Sequence, residues 1–254
     1  MSDCCGTGGA SVTERSLTVI VPVFNEESLV EASLKRLRVL DQSPELDRVQ
    51  VIVVDDCSQD QTPLVLVRLA RELPAMTSKT QWEFLRHARN QGKGAAVISG
   101  IRHANGAITV VHDADLEYDP RDILRMIPLF FTESADAVFG SRFMTHEYRR
   151  VLFFRHQLGN QLLTFLCNLV SDLNLTDMET CYKAIRTELL KSIPLKSHDF
   201  CIEPELSIKL ARRNARVFEV AINYSGRTYR EGKKIRWPDA LRALWAIARF
   251  GICD

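Results

Sequence analysis

A chain of 254 residues, 46% hydrophobic and 26% charged, has ordinary globular composition and enough apolar residues for one substantial core. Its net charge of +1 gives no ground for nucleic acid or an acidic macromolecule as partner. Seven cysteines, an odd number with no Cys-x-x-Cys pair, argue against a disulfide framework or zinc knuckle and for a reducing, cytoplasmic compartment.

Residues 1–16 lack an apolar signal-peptide core, are rich in Gly, Ser, Thr and Cys, and are expected to be a disordered tail. Leu17 to Val23 is a β-branched run that predicts a first strand, followed by helical spacing of apolar residues from Glu26 to Leu40. Val49 to Val54 predicts a second strand stopping at Asp55-Asp56, and Thr62 to Leu73 a second helix. Trp82 to Leu85 and Gly94 to Ala104 predict a third strand and helix. Ala107 to Val111 is a fourth strand ending at His112-Asp113, Pro120 opens a helix to about Phe131, and Ala135 to Phe139 is a fifth strand.

This alternation predicts an α/β fold: a mostly parallel, Rossmann-like sheet with helices on both faces. Ligands of such sheets bind beyond the carboxyl ends of the strands. The polar clusters fall there: Asn25-Glu26, Asp55-Asp56 and Asp113 to Glu117. Like charges gathered at one edge call for a cation among them. In an extended chain the alternate carboxylates of Asp113, Asp115 and Glu117 would point one way and could hold Mg2+ or Mn2+ through hard oxygen ligands.

Four motifs in order, Pro22-Val23-Phe24-Asn25-Glu26, Asp55-Asp56-Cys57-Ser58, Asp113-Ala114-Asp115 and Gly140-Ser141-Arg142-Phe143, resemble glycosyltransferase family 2, whose fold is the A-type glycosyltransferase fold. Thr176 to Lys183, the helix pattern Phe200 to Leu210, and Arg227 with Lys233 are similar to the dolichol-phosphate mannose synthase branch, so the resemblance covers Leu17 to Arg236. The resemblance implies a catalytic domain over 17–236 and a nucleoside pocket lined by Pro22, Phe24, Glu26, Val53 and Asp55. It implies Asp113 and Ala114 beside the ribose and sugar phosphate, Asp115 and Glu117 as metal ligands, and Arg142, Arg227 and Lys233 on the diphosphate. Transfer from the nucleotide-sugar donor would proceed with inversion.

Two acceptors stand: a polyprenyl phosphate, already anionic, or a saccharide hydroxyl needing a general base, for which Asp177 comes first and Glu179 second. Asn90 to Gly94 lacks the full P-loop pattern and reads as a turn opening the third helix. The basic run Arg227 to Arg236 is expected to be a lid over the diphosphate. No segment is apolar enough to span a bilayer. Val151 to Val170 suits a helix half buried in the core or lying at an interface. The basic amphipathic helix over 237–254 either docks on the domain or lies on the inner face of a membrane, peripherally, through Trp245 and Phe250.

Overall fold

The computed structural model describes residues 14–144, 154–227 and 237–252. The predicted tail therefore lies mostly outside the described residues, as do Lys233 and most of the basic run.

Strand β1 (Ser16–Val23) leads to two short helices, α1 (Val30–Arg36) and α2 (Arg38–Asp41), where one helix was expected. Then come β2 (Arg48–Asp55), α3 (Thr62–Glu72) and β3 (Thr80–Arg86). Next are α4 (Lys93–His103) and β4 (Ile108–Val111). The expected helix after Pro120 is divided into α5 (Arg121–Met126) and α6 (Leu129–Thr132), with Pro128, which has no N–H to donate, at the break. β5 (Ala137–Ser141), α7 (Phe154–Ser171), β6 (Lys183–Arg186) and α8 (Thr187–Ser192) follow. The described chain closes with α9 (Ile202–Arg212), β7 (Val217–Ala221) and α10 (Trp237–Ile252).

The seven strands form one sheet in the order β3-β2-β1-β4-β6-β5-β7. β1 pairs in parallel with β2 and β4, β2 with β3, and β5 with β7. Only β6 among them runs antiparallel, inserted between β4 and β5. The mostly parallel A-type fold expected from the sequence is thus present, with β6 and β7 as elements the sequence reading did not include.

Strand alternation distributes the core onto both faces. Val19, Val21, Val51 and Val53 point into the layer with α1, α3 and α5, whereas Ile20, Ile52 and Val54 face the layer with α4. On that second face α7, α9 and α10 pack on one another. Phe250 lies inside this cluster, 1% exposed, with Lys209 Nζ 5.0 Å from its ring centre. It is a packing residue and cannot meet a membrane, contrary to expectation, because helical spacing turns it to the side opposite Trp245. Trp245 is exposed, with the Arg249 guanidinium 4.9 Å from its ring.

Among the described residues no helix is long and apolar enough to cross a membrane.

Candidate active site

The carboxyl ends of β1, β2 and β4 leave the sheet through sharp turns, each with a non-glycine residue in the left-handed region: Asn25 (φ 51°), Cys57 (φ 62°) and Leu116 (φ 62°). Side chains staple the first two turns together. Asn25 N–H donates to Ser58 Oγ (2.9 Å), Glu26 N–H to Thr62 Oγ1 (2.9 Å), and Gln59 N–H to Asn25 Oδ1 (2.8 Å). The turns frame a cavity of about 310 Å3 at the sheet edge where a ligand was expected.

Most of the predicted donor residues line this cavity. Pro22, Phe24 and Glu26 come from the end of β1; Asp113, Ala114, Asp115 and Glu117 from the turn after β4. Arg142 and Arg227 line it as well, as does Glu179, the second candidate for a general base. Three residues are placed elsewhere. Val53 is fully buried in the core, its side chain turned into the sheet layer. Asp55 does not line the cavity; its Oδ1 accepts the Ser58 N–H (3.0 Å) and its Oδ2 lies 3.2 Å from Arg86 Nε, so it shapes the turn after β2. Asp177 is fully buried behind Arg142.

The acidic motif is not extended. The left-handed Leu116 bends it, so Asp115 and Glu117 converge while Asp113 turns away to Lys93 (2.9 Å). Glu117 N–H donates to Asp115 Oδ1 (3.1 Å), closing the turn. The convergent pair meets one cation: Arg227 Nη2 is 2.9 Å from Asp115 Oδ2 and its Nε 3.1 Å from Glu117 Oε1, with Glu26 Oε2 3.9 Å from Nη1. Tyr224 donates to Glu117 Oε2, and Ser225 N–H to the Glu117 carbonyl (2.8 Å), tying the segment after β7 to this turn. Burial lifts the Asp115 carboxyl to about 7, the charges of Asp113 and Glu117 add to this, and Arg227 opposes it. Two crowded carboxylates, one of them reluctant to ionise, make a site that gains from a hard cation. Asp115 and Glu117 could supply two oxygen ligands to Mg2+ or Mn2+, with phosphate oxygens and water completing the shell. No group of three or more ligating side chains is present among the described residues, so these two alone do not make a closed cage.

Arg142 is locked from behind. Its Nε and Nη2 donate to Asp177 (2.6 and 2.7 Å), and its backbone N–H also reaches Asp177 Oδ2 (3.0 Å). The pair leaves Nη1 outside the fork, with the guanidinium 5.1 Å from the Tyr224 ring centre. Asp177 is the first candidate for a general base; both its oxygens lie on the Arg142 guanidinium, an arrangement that favours a positioning role. Glu179, the second candidate, lines the cavity, and its Oε1 is buried without a hydrogen-bond partner among the described residues. Burial pushes its carboxyl up to about 7; Lys183 opposes this and Glu203 reinforces it.

The segment from Asn90 to Gly94, which by sequence is only a turn opening a helix, belongs to the cavity wall. Asn90, Gly92 and Lys93 line the cavity. Asp56 holds the turn, accepting N–H bonds from Gln91 (2.9 Å) and Gly92 (2.7 Å), and is itself fixed by His87 Nδ1 (2.7 Å). Gly92 has φ +97°, and a Cβ there would lie 2.3 Å from the His198 carbonyl oxygen; one on Gly94 would lie 2.3 Å from that of Ser197. The glycines weld this turn to the segment that opens α9, so Lys93 lies 3.4 Å from Glu203 as well as against Asp113. Two glycines two residues apart at a helix start were the available signal; their neighbour, a segment a hundred residues away, was not visible.

Together, a nucleotide-binding sheet edge, an acidic pair suited to a metal and two arginines define a site for an activated phosphorylated donor. The model of glycosyl transferase family 2 matches residues 18–193, and the chain belongs to that family and is a glycosyltransferase. It is 30% identical over 232 residues to an undecaprenyl-phosphate mannosyltransferase of Micrococcus luteus, covering 86% of this chain and 87% of the relative. It is 27% identical to a dolichol-phosphate mannosyltransferase of Pyrococcus furiosus, covering 85% of this chain and 58% of that protein. Among solved structures, glucosyl-3-phosphoglycerate synthase of Mycobacterium tuberculosis, in complex with Mn2+, UDP and its product, superposes with a TM-score of 0.69 at 19% identity. That match covers 94% of this chain and 81% of the other, and it shows a shared fold.

Proposed function

We propose that this enzyme transfers a hexose, with inversion, from a nucleoside-diphosphate sugar of the GDP-mannose or UDP-glucose type to a polyprenyl phosphate at a membrane surface. The observation that carries the acceptor is the exposed face of α7. Phe154, Leu158, Leu162, Phe165 and Leu169 form an unbroken exposed stripe at helical spacing. The buried face of the same helix holds the loop bearing Asp177 and Glu179: Met178 N–H donates to Thr164 Oγ1 (3.1 Å). α10, packed beside α7, adds exposed Leu241, Trp245 and Ile252. A lipid acceptor meets such a surface; a soluble saccharide has no use for it. The names of the relatives from Micrococcus and Pyrococcus agree with this reading. The protein would dock peripherally, from the cytoplasmic side, with Arg242 and Arg249 toward anionic headgroups.

In the reaction an acceptor phosphate oxygen attacks the anomeric carbon, and the bond from that carbon to the diphosphate oxygen breaks. The electron pair and negative charge leave on the nucleoside diphosphate. Arg142, held in position by Asp177, and Arg227 neutralise that charge, and Lys233 is expected to join them. Asp115 and Glu117 would hold Mg2+ or Mn2+, which supplies further charge stabilisation to the leaving diphosphate. Pro22, Phe24 and Glu26 frame the nucleoside pocket. An anionic acceptor needs no strong general base, consistent with the commitment of Asp177 to Arg142.

Incubation with a sugar-labelled donor and vesicles containing polyprenyl phosphate tests the reading. Label should pass into the organic phase only when the acceptor lipid is present. Label transferred to saccharides, with none in lipid, would establish the hydroxyl-acceptor alternative. Vesicle binding should weaken with salt and fall in Trp245→Ser; a wild-type protein that ignores anionic vesicles at low salt would remove the peripheral model.

A further inference from the structure

At the cavity and directly behind its wall, the carboxylates of Asp113, Asp177, Glu179 and Glu203 keep company with Lys93, Arg142 and Lys183. Three of these carboxylates have a cation: Asp113 has Lys93 (2.9 Å), Glu203 has Lys183 (2.6 Å) and, at 3.4 Å, Lys93, and Asp177 has Arg142 (2.6 Å). Lys183 is also saturated by the carbonyls of Met178 (2.7 Å) and Thr180 (2.6 Å). Glu179 is the fourth, with no cation of its own and with Oε1 buried and unpartnered among the described residues. Oε1 is closed off from solvent, while the rest of the half-buried side chain faces the cavity, so a ligand there meets a carboxyl that the protein leaves without a partner.

We propose that Glu179 recognises the acceptor phosphate, its carboxyl making a hydrogen bond to a phosphate oxygen. The inference rests on the phosphoprenol reading above and assigns the contact that selects the acceptor. The charged and titratable groups facing Glu179 are Lys183 on β6, Glu203 on α9 with Cys201 just before it, Arg142 after β5, Cys167 on α7, and Asp177 in its own loop. Burial and the carboxylates among them favour the proton on Glu179, against the pull of Lys183 and Arg142. A protonated carboxyl gives a phosphate oxygen a short, charge-assisted bond. An ionised Glu179 would repel the same phosphate. For a hydroxyl acceptor the requirement reverses, since only the ionised form can take up a proton.

The test is the pH dependence of KM for polyprenyl phosphate and of kcat, from pH 5.5 to 9, in wild type, Glu179→Gln and Glu179→Ala. Donor KM and nucleotide binding serve as the check that each variant is folded. Above pH 7 the wild-type KM for the acceptor should rise by about tenfold per pH unit as one proton is lost. Glu179→Gln, whose amide donates at every pH, should keep a low KM to pH 9, and Glu179→Ala should show a raised KM throughout, with donor KM within about twofold of wild type. The second ionisation of the acceptor itself is common to all three proteins and cancels in the comparison. Superimposable KM profiles in wild type and Glu179→Gln would overturn the assignment while leaving the lipid acceptor in place. Loss of kcat in Glu179→Gln with acceptor KM unchanged would also overturn it, by making Glu179 a base. If the wild type forms no lipid-linked product at any pH, the acceptor reading falls and this inference with it.

Discussion

Replacing Asp177 by Asn separates a positioning carboxylate from a proton acceptor. Asp177 is fully buried and takes three N–H bonds from Arg142, at 2.6, 2.7 and 3.0 Å. The amide keeps the shape but removes the charge and presents an NH2 where an acceptor is needed. Arg142, with its side chain only 9% exposed, is then a buried cation without its counter-ion. Removing one member of a buried pair costs about 3–5 kcal/mol. For a chain of this size, that corresponds to a fall in Tm of roughly 10 °C. Activity should fall by about 100-fold or more at every pH, because the misplaced guanidinium no longer meets the developing diphosphate charge. Thermal denaturation and pH-rate profiles read both effects. A cycle with Arg142→Met should show strong coupling, the double variant being far less destabilised than the two single losses summed. Wild-type stability in Asp177→Asn, with loss of only the basic or acidic limb of the pH profile, would refute the ion-pair account and restore Asp177 as a base.

Asp115→Asn should lower turnover by about 100-fold or more and weaken Mn2+ binding in the presence of nucleoside diphosphate, measured by calorimetry or electron paramagnetic resonance; full activity in excess chelator would remove the metal assignment. Gly92→Ala should cost about 1–3 kcal/mol through its φ of +97° and the 2.3 Å approach to the His198 carbonyl oxygen, and should impair catalysis by displacing Lys93, as thermal denaturation and steady-state rates will show. Glu179→Gln should become progressively more stable than wild type as pH rises. The native Glu179 carboxyl, lifted from 4.5 to about 7, binds its proton more tightly than the unfolded chain does, so wild-type stability falls between those values and stays lower above them. The difference should open from pH 5, level off near pH 8 and reach on the order of 3 kcal/mol at most, by denaturant titration.

The strand ends were legible because each apolar run of the parallel sheet stops abruptly at a polar cluster, as at Val23-Phe24-Asn25 and Val54-Asp55-Asp56. Pro22, Phe24, Glu26, Asp113, Ala114, Asp115 and Glu117, at or just beyond those ends, line the cavity as the motifs suggested, whereas Asp55 does not. β6 was hidden because it is only four residues long and opens on a buried lysine, Lys183, whose charge is satisfied by Glu203 and two carbonyls from outside the strand. β7 is short and half-exposed, with Glu219 in its middle serving Thr176 across the sheet end. Val53 was misplaced because the alternation that buries Val51 carries it into the core as well. The convergence of Arg227 on Asp115 and Glu117, and of Lys93 on Asp113 and Glu203, depends on segments far apart in sequence, so no local pattern announces it. Bending of the acidic motif at Leu116 was equally silent, since a leucine in the left-handed region carries no sequence signature.

The most direct measurement of the central claim is the fate of oxygen in the acceptor. Polyprenyl phosphate labelled with 18O in its terminal phosphate oxygens is incubated with the enzyme, a nucleoside-diphosphate hexose and divalent metal, and both products are weighed by mass spectrometry. Attack by the phosphate on the anomeric carbon predicts a glycosyl phosphoprenol that retains all of the label and a nucleoside diphosphate that carries none. Label in the nucleoside diphosphate, or a sugar product without a phosphoprenol, would contradict the account.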